Sequence, residues 1–178
     1  RTVHLSITAN DRSGEHSALM LRPCSAAGRA LTDRHTDWFR ERIGPMLSDV
    51  LSELDPGIVR AAVGAARPST VDRLESLSAR DWQVIAGVGY GPGTYEAAPQ
   101  VFRTVAMAYL LNESAFLSDR QERLLVRKLL QGEPWESVAV GLGYASTSQC
   151  MREMGAIARA VCEQWGGEVA FTERERYD

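Results

Sequence analysis

Apolar positions recur at helical spacing along most of this chain, and the clearest run lies near its end. From Ser118 the sequence reads SDRQERLLVRKLLQGEPWESVAVGLGYASTSQCMREMGAIARAVCEQWGG. Ser118 and Gln121 form a capping-box pair ahead of a first helix, whose stripe runs through Leu124, Leu125 and Leu129 to Leu130. Gly132 closes that helix, and Pro134 suits the first turn of a second, marked by Trp135, Val138, Ala139 and Leu142. Gly143 can take the left-handed backbone of a tight turn. Ser146 then caps a long third helix with Cys150, Met154, Ile157 and Val161 on one buried face, stopped by Gly166 and Gly167.

Earlier segments carry weaker patterns. Residues 2–9 alternate, with Val3, Leu5 and Ile7 on one face, and 17–22 again look extended, which predicts a β-hairpin. Residues 23–31 read as a loop, and a helix is expected from Thr32, kinked or broken at Pro45. A short helix follows from Asp55 to Ala66. Ser78 and Asp81 cap a helix holding Trp82, Val84 and Ile85. A turn-rich break is expected over 86–93, and then a Thr94-capped helix through Val101, Phe102, Val105 and Leu110 with Pro99 inside it. Residues 168–178 look like a short extended piece and a solvated tail. The expected fold is mainly α, a helical bundle with a C-terminal helix-turn-helix and a small N-terminal β-hairpin. Its expected divisions are 1–68 (hairpin and helices), 69–116 (a helical region with a degenerate first helix-turn-helix), 117–167 (a DNA-binding unit) and 168–178 (tail).

The stretch LLQGEPWESVAVGLGYASTSQCMRE resembles the second helix-turn-helix of the AraC/XylS transcription regulators. The shared elements are the Leu pair, Gly132, Val138-Ala139, Leu142-Gly143-Tyr144, Ser146, Ser148 and Arg152; Cys150 and Met154 stand where that family carries aromatic residues. A sigma-region-four or LuxR-like unit shares the Ala, the Leu-Gly and the Ser-capped helix and stays open as the competing resemblance. Region 78–110 resembles a first AraC-type unit, with a longer glycine-rich turn. The resemblance implies a bacterial, sequence-specific DNA-binding regulator, with the helix from Ser146 in the major groove of double-stranded DNA. Ser146, Thr147, Ser148, Gln149 and Arg152 are the expected DNA contacts, with Thr94 and Arg103 from the first unit. Gln and Arg side chains can each pair two hydrogen bonds with a purine edge. RNA polymerase and a second copy of the chain are the further partners so implied. The alternative is a helical protein–protein adaptor that keeps a regulator-like bundle and binds no DNA.

Charge favours the alternative. The 178 residues carry a net charge of −3, and residues 117–165 hold six basic and six acidic side chains, so any nucleic-acid contact must come from a local patch. Three cysteines, 24, 150 and 162, have no metal-ligand spacing and suit a reducing, cytoplasmic setting. No apolar run is long enough for a membrane span, and no signal peptide is visible. The three histidines, 4, 16 and 35, have no nucleophile beside them. Neither an enzyme nor a cofactor or metal site is expected.

Overall fold

The computed structural model describes residues 1–6, 12–13, 15–64, 74–112 and 115–177. The fold is mainly helical with a small antiparallel hairpin. Strands β1 (Thr2–Leu5) and β2 (Ala18–Met20) pair, then helices α1 (Ala26–Asp49), α2 (Pro56–Gly64), α3 (Ala79–Gly89) and α4 (Pro99–Leu111) follow. Next come α5 (Asp119–Leu124), a π-helical segment (Leu125–Leu130), α6 (Trp135–Gly141), α7 (Thr147–Trp165) and α8 (Gly167–Arg174). One continuous apolar core reaches from Leu5 to Ala170. No described helix is long and apolar enough to cross a membrane. The division drawn at 68 falls within 65–73, outside the described residues.

The serine capping signals read from sequence are all in use. Ser78 and Asp81 form a reciprocal capping box, and the two Ser78 bonds hold the Asp81 carboxyl below its ordinary value. Ser118 and Gln121 form another, and the Ser146 hydroxyl accepts from Gln149 N–H at 3.1 Å. Gly132 and Gly143 have φ of +72° and +67°, the left-handed turns that end the π-helix and α6. Cys150, Met154, Ile157 and Val161 are buried on one face of α7.

Several expectations need correction. Helix α1 starts at Ala26 rather than Thr32, because the Ser25 hydroxyl caps Gly28 N–H at 3.0 Å. Pro45 lies inside α1 without ending it; Pro45 and Glu41 are both exposed, so the carbonyl that loses its donor faces water. The turn-rich break starts at Tyr90, since Ala86, Val88 and Gly89 stay helical and buried. Thr94 makes no side-chain cap; it opens a single 3-10 turn, Tyr95–Ala97, and α4 begins at Pro99, where a missing N–H costs nothing. The segment after Gly167 is helical and puts Ala170 and Glu173 into the interior. In the hairpin, a register irregularity between Thr2 and His4 buries Thr2 and Leu5, leaving Val3 half-buried; Ile7 lies outside the described residues. All three β2 residues are exposed, and Leu31 and Trp38 on α1 are exposed too.

Burial also sets an alkaline limit. The Cys162 thiol is pushed by burial up to about 12 from 9.0, and the Tyr144 phenol by burial up to about 12 from 10.0. Both folded values lie above the unfolded ones. Their contribution is therefore complete below about pH 9 and is lost as pH climbs towards 12, because the unfolded chain releases these protons first. The denaturant midpoint is expected to fall steadily between pH 9 and 11, and Cys162→Ala to flatten the first part of that fall. A midpoint level to pH 11 would mean that water reaches both groups in the folded chain.

Candidate functional site

A cleft of about 760 Å³ lies between the turn after α3 and the first half of α7. Gly89 to Glu96 form one side; Met151, Arg152, Gly155, Ala156 and Arg159 form the other; Trp135 of α6 closes one end. Its position follows from how α3 meets α7. A Cβ on Gly89 would sit 2.8 Å from Arg159 N and 3.0 Å from Arg159 Cα, and one on Gly155 would sit 3.3 Å from Val88 O. Two glycines therefore let the helix backbones touch. The chain must then turn away at once. The Gly87 carbonyl accepts N–H bonds from Gly91 at 3.1 Å and Gly93 at 3.0 Å, and a Cβ on Gly93 would meet that carbonyl oxygen at 2.9 Å. The Tyr177 ring, beyond α8, packs on Gly91 and leaves no room for a Cβ there.

Aromatic rings line the cleft and brace one another. Tyr95 meets Trp135 edge-on with centroids 5.6 Å apart, and Phe102 of the core edge-on at 6.1 Å. Trp135 Nε1–H donates to the Glu96 carboxylate at 2.9 Å. The Lys128 ammonium lies 4.9 Å from the Trp135 centroid and 5.8 Å from that of Tyr95, and donates to the Glu133 carbonyl at 2.6 Å. Burial, and then the nearby Glu96, push the Tyr95 phenol above its ordinary value. On the far side Arg159 donates from Nε and Nη2 to the Gly89 carbonyl at 3.2 and 3.0 Å and lies over the Tyr90 ring. Arg152 is exposed at the mouth. The arrangement joins flat apolar walls to two guanidinium groups and one carboxylate. Among the described residues no group of three His, Cys, Asp or Glu side chains gathers as a metal site.

The seven contacts expected from sequence are scattered by the fold. Thr94 and Arg152 line the cleft together. Ser146 is occupied as a helix cap, and Gln149 Oε1 accepts from Ala145 N–H at 2.7 Å, so both are committed to holding the turn. Thr147 is half-buried and Ser148 exposed on the first turn of α7. Arg103 is not among the cleft residues; its Nε donates to the Leu129 carbonyl at 3.1 Å and braces the π-helix. Sequence reading passed over Tyr95, Trp135 and Arg159. The signal available for Tyr95 was GYGPGTYE, an aromatic pair flanking a glycine turn; Trp135 and Arg159 lie outside it.

No family model matches the chain. It is 49% identical over 179 residues, 99% of its length, to the tRNA(Met) cytidine acetyltransferase TmcA of Haloferax volcanii, of which it covers 23%. It is 39% identical over 99% of its length to the protein of that name from Haloarcula marismortui, again covering 23% of it. A third TmcA, from Nitrosococcus halophilus, is 29% identical over 98% of the chain and 23% of the relative. The chain is homologous to a segment of these proteins and spans less than a quarter of their length. That finding overturns the AraC/XylS resemblance and, with it, the sigma-region-four or LuxR alternative. It likewise overturns the reading as a bacterial DNA-binding transcription regulator, with duplex DNA and RNA polymerase as partners. The adaptor alternative and the expectation of no enzyme link fall too, since the relatives are named acetyltransferases. The helix-turn-helix geometry of α6 and α7 is real. It is a packing solution for two short-linked helices and does not by itself imply DNA binding.

Proposed function

We propose that this chain is the part of a tRNA cytidine acetyltransferase that holds the tRNA substrate. The observation that carries the reading is similarity to TmcA proteins along 99% of the chain. The cleft supports it chemically, since unpaired RNA bases are recognised by stacking on aromatic faces and arginine planes. A chain of charge −3 needs such a concentrated site, because its overall field opposes a polyanion. Arg152, Arg159 and Thr94 are the contacts proposed here; Ser146 and Gln149 act by fixing the start of α7, and Ser148 and Thr147 lie beside it. Action on tRNA places the protein in the cytoplasm.

Fluorescence anisotropy with labelled tRNA(Met) tests this. The full chain is expected to bind it, more weakly as salt rises from 50 to 200 mM, because phosphate contacts release counterions. Double-stranded DNA of equal length is expected to compete poorly. Absence of binding at low salt, or DNA competing as well as unlabelled tRNA, would remove the proposal.

A further inference from the structure

We infer that the cleft seats a single unpaired nucleotide of an RNA strand, and that Glu96 selects a base bearing an exocyclic amine. This rests on the tRNA-binding reading and names what that site takes. A cleft of about 760 Å³ falls in the range of sites for small ligands, and a paired helix cannot enter it. Its walls suit a flat ring. Trp135 and Tyr95 are held by each other, by Glu96 and by Lys128, so a base stacking there orders little that is not already ordered. Across from them α7 presents Met151 and, one turn on, Gly155, which lies against the Val88 carbonyl of α3.

The charges divide the work. Arg159 uses two of its five N–H donors on the Gly89 carbonyl, which fixes its plane and leaves the others for a phosphate or base edge. Arg152 stands exposed about two helical turns earlier on the same helix, within reach of a flanking phosphate. Glu96 accepts one bond from Trp135 and, as a carboxylate, has acceptor sites to spare and no proton to donate. Cytosine, adenine and guanine can each offer it an amine. Uracil would turn a carbonyl oxygen towards it, leaving two acceptors facing each other.

Tryptophan fluorescence of the full chain, titrated with the tetranucleotides rC4, rA4 and rU4, tests the inference. Binding of rC4 and rA4 about tenfold or more tighter than rU4 is expected, with quenching that disappears in Trp135→Phe while Trp38, Trp82 and Trp165 still report the fold. Glu96→Gln should erase the preference by raising rU4 affinity, because an amide can donate as well as accept. Arg152→Ala, a surface change, should weaken all three tetranucleotides alike. Equal affinity for the three, or full quenching in Trp135→Phe, overturns the inference. AMP or CMP binding as tightly as the tetranucleotides assigns the cleft to a free nucleotide and overturns the RNA strand as its source. If tRNA binds while the tetranucleotides neither bind nor compete, the cleft assignment alone fails. If tRNA does not bind, the reading beneath it fails as well.

Discussion

Gly89→Val is expected to lower the unfolding free energy by about 3 kcal/mol, the upper end of the usual overpacking range. Two effects of opposite sign compete. A side chain inside a helix removes the entropy penalty of glycine, a gain of about 0.5–1 kcal/mol. Against it stands the crossing with α7, where even a Cβ would meet Arg159 N at 2.8 Å, Arg159 Cα at 3.0 Å and the Ala158 carbonyl carbon at 3.2 Å. All three are backbone atoms, which no rotamer change can move aside. Contact therefore wins, and α3 must lift from α7. The same movement opens the cleft and breaks the Arg159 bonds to the Gly89 carbonyl. Urea denaturation and tRNA affinity should thus fall together, with Gly89→Ala intermediate in both. A Gly89→Val midpoint equal to that of the unsubstituted chain would show that the helices do not meet there.

Phe102→Ala is the second large effect, expected to cost about 3–5 kcal/mol. Phe102 is 2% exposed and stands beneath Tyr95, edge to face at 79°. Removing the ring leaves a cavity in a region where Val105, Ala106 and Tyr109 are also fixed by burial, so the site can collapse little. The collapse that is open to it is inward movement of Tyr95, which would take its edge contact from Trp135. Thermal denaturation should show the loss directly, and nucleotide-dependent quenching should weaken at temperatures where the variant is still folded. Phe102→Leu, which keeps most of the apolar volume, should recover much of both. If the alanine variant melted lower but kept full quenching, Tyr95 would be held by Trp135 alone.

The resemblance to a DNA reader went astray for a physical reason. The features that produced it are Leu142-Gly143, the Ser146 cap and small Ala139. They state how two helices joined by a tight turn must pack, and the structure uses each of them so: Gly143 at φ +67°, Ser146 bonded to Gln149 N–H, and Ala139 buried. None of them lines the cleft. Arg103 went astray similarly, because a cation on an apparently outward position found a carbonyl of the π-helix to satisfy. The neutral charge of the same stretch was the better guide, since it pointed away from binding duplex DNA by field alone.

What the residues determine alone is local. Capping serines at 25, 78, 118 and 146, left-handed glycines at 132 and 143, and the four-three-four stripe of α7 act within one or two turns of chain, and most could be read without coordinates. The start of α1 was missed only because a cap was overlooked. Tertiary structure decided the rest: that Gly89 and Gly155 are where two helices touch, that residues 90–96 and 151–159 face each other, and that Trp135 closes their cleft. Those residues lie tens of positions apart, and no periodicity relates them. Their meeting depends on which buried faces fit together, a property of summed packing that no short stretch of sequence carries.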